Sequence, residues 1–216
     1  ELGLKVGIDK ISNMLKRLGL GNISDLELNE SIEGLIPNKK WKFKQTGLKW
    51  TPGETINASI GQGYMLVSPI QLATMTARIA NTKYAVQPTL LLEKNQNFRK
   101  LNINSNHLKF VKTAMENVVN SKQGTAYRSR IVSNKLKMAG KTGTVQVVRI
   151  SEHEREQGIV KNIDRDWKKR DHALFVGYAP IEDPKYAISV VVEHGGSGSG
   201  MAAPIARDIL TKLFEI

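Results

Sequence analysis

Lys141-Thr142-Gly143-Thr144 is the run of this sequence whose residue types and spacing suit chemistry. A lysine on a strand edge beside a nucleophilic hydroxyl stabilises its alkoxide and relays a proton. The Thr142 hydroxyl offers a hydrogen bond to a carboxylate without bringing a second charge. Glycine at 143 lets an extended substrate lie against the strand with no side chain in the way. The N–H of Thr144 then suits a developing oxyanion, an effect worth roughly 3 kcal/mol per donor. A Lys-[Thr/Ser]-Gly triplet arises by chance in roughly one chain in ten of this length. A second reading therefore stands beside the first: a solvated strand-end lysine with Gly143 as a bulge.

Three other constellations have a chemical reading. Gly195-Gly-Ser-Gly-Ser-Gly200 falls between a strand and a helix, where a nucleotide-binding loop would sit. It does not fit G-x-G-x-x-G, and the chain has no G-x-x-x-x-G-K-[S/T], so a flexible loop at the mouth of a site is expected instead. Glu152-His153-Glu154 has metal-ligand types but stands among mixed charges without a matching second pair, which favours a solvated loop. His172 and His194 flank strands near the same site and default to structural histidines. Gly61 and Gly63 are expected to shape the turn into the next helix rather than to bind a ligand.

The elements that must position these residues are legible in outline. Gly7 to Gly21 reads as an amphipathic helix, with Ile8, Ile11, Leu15 and Leu18 in register and Gly19 or Gly21 as a left-handed stop. Residues 22–58 lack a clear period and are expected to be an irregular excursion. Ser68-Pro69-Ile70-Gln71 is a capping box with proline at the first helical position, opening a helix to about Asn81. Its expected packing face is Ile70, Ala73, Ala77 and Ala80. Leu90 to Leu92 looks strand-like. A further helix over 106–120 buries Leu108, Val111, Met115, Val118 and Val119. Strands follow at 138–150, 173–178 and 186–193, the last two joined by Asp183-Pro184 as an antiparallel pair. A helix over 203–214 closes the chain. Residues 151–171, dense in both charges, are expected to be solvated and partly mobile. Helices followed by three strands and a helix indicate α+β: residues 1–137 mainly helical, 138–216 the sheet and its final helix.

Composition narrows the class. The 216 residues suffice for one domain or a large piece of one. No stretch approaches the roughly 20 apolar residues that cross a bilayer, and no signal-peptide pattern opens the chain. With no cysteine, disulfides and thiolate metal sites are excluded. The net charge of +12 invites a nucleic-acid partner. Yet no long basic run appears, and the cluster Lys168-Lys169-Arg170 is flanked by Asp166 and Asp171. The charge reads as scattered; a basic surface also suits work beside anionic wall polymer or membrane.

The tetrapeptide resembles the third signature of the serine penicillin-binding proteins and β-lactamases, whose set is S-x-x-K, S-x-N/D and K-T-G. Ile60-Gly-Gln-Gly-Tyr64, Ser68-Pro-Ile-Gln-Leu-Ala73, Gln123-Gly-Thr-Ala126 and Phe175-Val-Gly-Tyr-Ala-Pro180 are similar to the monofunctional, class B transpeptidases. Asp171 to Pro180, Val190 to Gly196 and Ala203 to Arg207 are similar to the subfamily of penicillin-binding protein 2, which serves rod-shape elongation. The resemblance implies a penicillin-binding/β-lactamase-like α+β fold, here incomplete. It implies peptidoglycan D,D-transpeptidation through an acyl-serine, with Lys141, Thr142, Gly143 and Thr144 as one side of the catalytic site. It implies no metal or organic cofactor. Implied partners are peptidoglycan stem peptides, β-lactams, a SEDS-family glycosyltransferase and elongation-complex proteins, with no nucleic acid. A membrane anchor outside this chain would hold the catalytic domain in the periplasm. A serine β-lactamase, a D,D-carboxypeptidase and a non-catalytic basic binding module are the alternatives.

The departure from the pattern is as informative. None of the thirteen serines has Lys three residues on, or Asn or Asp two residues on. The first two signatures are expected upstream of Glu1, together with two further strands and the helix carrying the nucleophile. An apolar groove is expected where that helix would pack, favouring self-association of the fragment. The chain alone should be chemically silent: incubated with a fluorescent penicillin it should take no covalent label, and labelling would overturn this.

Overall fold

The computed structural model describes residues 1–21, 33–90, 97–133, 135–148, 150 and 152–215. The chain forms two compact units, Glu1–Ile103 and Asn104–Ile216.

The first unit is helical: α1 (Leu2–Val6), α2 (Ile8–Arg17), α3 (Lys39–Thr46), α4 (Pro52–Ser59) and α5 (Pro69–Asn81). The expected first helix is broken into α1 and α2 by Gly7, whose φ of 80° and ψ of 151° leave the helical region. Ile8 is fully buried and Gly19 and Gly21 both take positive φ, as the stop requires. The irregular excursion expected over 22–58 is corrected within its described part. Asn38 caps α3 by accepting from the Trp41 N–H at 2.8 Å, and Thr51 opens α4 with a capping box to Glu54. These helices are short and weakly periodic, so cap chemistry, not an apolar stripe, specifies them.

Helix α5 runs over the expected residues, with the Ser68–Gln71 capping box formed. Its expected packing face is corrected. Ile70 is exposed, while Gln71, Thr74, Thr76, Arg78, Ile79 and Ala80 are buried. The polar members are satisfied: Gln71 Nε2 donates to the Glu33 carbonyl at 2.8 Å, and Arg78 donates to the Arg17 and Val86 carbonyls, both at 2.9 Å. Leu90 lies in a bend, and Leu91 and Leu92 fall outside the described residues.

Glu54 ties α3 to α4. Its carboxylate accepts from Lys42 Nζ at 2.5 Å and from the Thr51 N–H at 2.7 Å. The Lys42 side chain is 6% exposed and that of Glu54 19%. The hydrogen bond from Lys42, helped by those from Thr51 and against partial burial, holds the Glu54 carboxyl down at about 2.

The second unit is a three-stranded antiparallel sheet with helices. Helix α6 (Ser105–Asn120) precedes β1 (Ala139–Val145); α7 (Glu152–Gln157) precedes β2 (His172–Ala179); β3 (Tyr186–Val192) precedes α8 (Ala203–Leu213). The strand order is β1-β2-β3 with uninterrupted register, Lys141 opposite Val176 and Thr142 opposite Phe175. Phe175, Ala173 and Ala179 of β2 are fully buried with Ala203, Ala206 and Leu210, so α8 covers that face. On the opposite face, strand alternation puts Lys141, Val145, Leu174, Val176 and Val191, which are exposed or only partly covered. Val111, expected in the buried stripe of α6, is exposed. Helix α6 packs beside β1, its Asn120 amide donating to the Met138 carbonyl at 3.0 Å, and both belong to the second compact unit. Tyr178 is fully buried, and burial with the nearby Glu116 and Glu182 raises its hydroxyl to about 12. No helix among the described residues is long and apolar enough to cross a membrane.

Replacing Glu54 by alanine should cost about 3 kcal/mol, because it strands a buried ammonium, measured from urea unfolding midpoints. The carboxyl is lowered in the folded state, so its contribution is full above the ordinary value of 4.5 and fades as pH falls toward about 2. The stability gap between wild type and Glu54→Ala should narrow over that window.

Candidate active site

Strand β1 brings the four predicted residues to the edge of the sheet. The pairing Gly143↔Leu174 is continuous with its neighbours, which removes the bulge reading. Lys141 stands third in the strand, not at its end, and its side chain is exposed. Its ammonium donates to the Thr142 carbonyl at 2.6 Å. Among the described residues it has no carboxylate partner within 4.0 Å, unlike Lys42. Thr142 is partly buried and Thr144 exposed, and alternation sets both on the face opposite Lys141.

A further hydroxyl joins them. Thr125 Oγ1 lies 3.0 Å from Thr142 Oγ1. Thr125 is delivered by the tight turn after α6, where Gly124 packs so closely that a Cβ would lie 2.3 Å from the Val118 carbonyl oxygen. The Ala126 N–H then donates to that same carbonyl at 3.0 Å. Residue chemistry alone did not mark Thr125; the signal available was the Gln123-Gly-Thr-Ala126 run, which carried no role of its own.

The glycine-rich segment is a correction. Gly195 to Ser197 is irregular, but Gly198–Ala202 forms a π-helical turn whose N-cap Ser197 accepts from the Gly200 N–H. Gly198 is buried against the strands, and a Cβ there would lie 2.4 Å from the carbonyl oxygens of both Gly143 and Leu174. Backbone therefore lies on backbone beside the candidate site, which only glycine permits. The same holds at Gly140, where a Cβ would fall 2.2 Å from the Phe175 ring.

The charged excursion over 151–171 contains α7 and two 3₁₀ turns, and is tied to the strand ends. Asp171 accepts from the Val147 N–H at 3.2 Å and from Asn162 Nδ2 at 2.9 Å, while its carbonyl accepts from the Gly196 N–H at 2.8 Å. Glu154, of the run read as a solvated loop rather than a metal site, is ion-paired with Arg165. Among the described residues no group of three potential ligands gathers. His172 and His194 form a pair, with rings 4.7 Å apart. The His194 N–H donates to His172 Nδ1 at 2.9 Å, and His194 Nδ1 lies 3.0 Å from the Arg170 carbonyl, so it carries the proton of that bond. Both rings are satisfied structurally. Gly61 and Gly63 take positive φ in the turn before α5, the shaping role expected of them.

Residues 1–211 match the model of the penicillin binding protein transpeptidase domain. The chain belongs to this transpeptidase family. Within it, the chain is 33% identical to the peptidoglycan D,D-transpeptidase MrdA of Haemophilus influenzae, over 97% of this chain and 33% of that protein. The penicillin-binding protein PBP2 of Helicobacter pylori, solved in complex with MreC, superposes with a TM-score of 0.83 at 31% identity, over 99% of this chain and 37% of that one. PBP2 of Pseudomonas aeruginosa, solved in complex with WCK 5153, gives 0.77 at 35% identity, over 97% and 43%. The chain is thus PBP2-like, α+β, and spans about a third of the length of the curated relative.

The contact of Gly198 with the Lys141–Thr144 strand yields a stability prediction. Gly198→Ala should lower stability by about 2 kcal/mol through overpacking, seen as a fall of several degrees in Tm. Gly200→Ala, where a Cβ would meet nothing nearer than 3.6 Å, should leave Tm nearly unchanged.

Proposed function

We propose that this chain supplies the substrate-binding and oxyanion side of a peptidoglycan D,D-transpeptidase site in its parent protein. The observation that carries the proposal is that one edge strand holds both Lys141, free of a carboxylate partner among the described residues, and, as its next residue, Thr142 of the Thr125–Thr142 hydroxyl pair. The relatives' activity supports it.

In this reading a serine outside the present residues attacks the penultimate D-alanine carbonyl of a stem peptide. Its proton passes toward the relay that includes Lys141, and D-alanine leaves as the acyl-enzyme forms. An amine of a neighbouring strand then takes the acyl group and regenerates the serine. The Lys141 ammonium stabilises the alkoxide and the negative charge that develops. The Thr142 and Thr144 hydroxyls hold the terminal carboxylate of the donor, and the Thr144 N–H meets the oxyanion. Thr125 fixes the Thr142 rotor, so that its remaining hydrogen-bonding capacity is aimed at the carboxylate. The isolated chain, without nucleophile and base, stays silent. Residence in the periplasm on a membrane anchor, and a contact with an MreC-like partner as in the Helicobacter relative, follow by the same inference.

The test uses the parent protein and its rate of acylation by penicillin. Lys141→Ala should slow acylation at least about 100-fold. Thr125→Val should slow it about fivefold, the worth of one hydrogen bond between neutral groups, while leaving Tm within about a degree. Acylation by Lys141→Ala at the wild-type rate would overturn the assignment.

A further inference from the structure

The basic residues are spread over both units, but one segment of the first unit gathers several of them without an intervening acid. Between Lys39 and Trp50 stand Lys39, Lys40, Lys42, Lys44 and Lys49, with no acidic residue among them. Lys42 is used internally on Glu54, and Lys39 reaches Asp9 at 3.7 Å. Lys40, Lys44 and Lys49 are exposed and form no ion pair among the described residues. Three aromatic rings lie against this segment. Tyr64 sits between Trp41, at 5.3 Å between centroids, and Trp50, at 6.4 Å. The row is anchored by the Trp50 indole N–H, which donates to Thr55 Oγ1 at 2.8 Å, yet Tyr64 remains 42% exposed. Rings that only completed a core would be covered.

We infer that this lysine-flanked aromatic row binds an anionic glycopeptide strand, its carboxylates to the lysines and its sugar faces to the rings. Fixed cations without counterions attract a polyanion, and aromatic faces supply affinity that tolerates sequence. A bilayer surface fits less well. A helix that lies in a membrane interface segregates apolar from basic side chains, whereas α3 mixes them all round. The identity of the strand as uncrosslinked peptidoglycan rests on the transpeptidase reading; the surface itself does not.

Co-sedimentation of the 216-residue chain with purified peptidoglycan sacculi tests this. Wild type should sediment, and the triple change Lys40→Gln, Lys44→Gln, Lys49→Gln should weaken binding about tenfold at low salt. Sacculi with amidated carboxyls should lose a similar factor. Tyr64→Leu, which keeps an apolar side chain between the indoles, should weaken the binding that survives at high salt, where the lysine contribution is screened. Unchanged binding by the triple variant, or equal binding to phosphatidylglycerol vesicles or single-stranded DNA, would overturn the inference. Penicillin labelling of the parent is a separate readout. A labelled parent whose triple variant still binds sacculi like wild type sinks the surface alone, and an unlabelled parent sinks only the transpeptidase reading.

Discussion

The candidate site depends on how closely backbone can approach backbone at the seam between β1 and β2. Phe175 fills the space over Gly140 and Gly177, where added Cβ atoms would lie 2.2 and 2.7 Å from its ring. On the same seam Gly198 rests against the carbonyl oxygens of Gly143 and Leu174. Any side chain at these positions would push apart the strands or the turn. The geometry of Lys141 to Thr144 is thus fixed from beneath by a buried aromatic ring and from the side by a turn that meets the strand at Gly198. Close packing of this kind transmits strain rather than absorbing it, so small displacements of the turn would reach the strand.

This explains which parts of the fold were legible in the residues. The strands were found because β-branched runs such as Ile188 to Val192 mark pleated segments, this one half-buried. Helix α5 was found because Ser68, Pro69 and Gln71 are a local capping signal, and local signals survive any tertiary context. Helices α3 and α4 were missed because eight-residue helices carry little periodic pattern, and both are specified by caps and by the Lys42–Glu54 pair. The buried face of α5 was misjudged for a related reason. Thr74, Thr76 and Arg78 are buried because distant carbonyls or their own helix satisfy them, and no one-dimensional pattern records such partners.

The site divides along the same line. Lys141, Thr142, Gly143 and Thr144 are contiguous, so their chemistry could be read directly. Thr125 lies seventeen residues away from Thr142, and its approach depends on the tight packing of Gly124 beneath α6. The glycine-rich segment looked flexible because glycine is permissive, but Gly198 within it serves close approach. His172 and His194 looked like candidates for rim chemistry, yet each spends a ring nitrogen on a backbone group near the start of β2. The charged excursion likewise looked loose, and Asp171 instead joins it to the end of β1 and to the entrance of the π turn.

Two lysines make the electrostatic argument. Lys42 and Lys141 have the same chemistry and opposite situations. Lys42 is buried with a carboxylate held near a pKa of 2, so its charge is committed to joining two helices. Removing its partner leaves an ammonium in an apolar place, a large cost and no chemistry. Lys141 is exposed and, among the described residues, donates to a neighbouring carbonyl, a neutral acceptor that an incoming anion displaces readily. A cation free of carboxylates among the described residues is suited to charge that appears only during a reaction. Electrostatic catalysis needs donors already in place when that charge develops, and the packed seam beneath Lys141 holds the strand in place without engaging its ammonium.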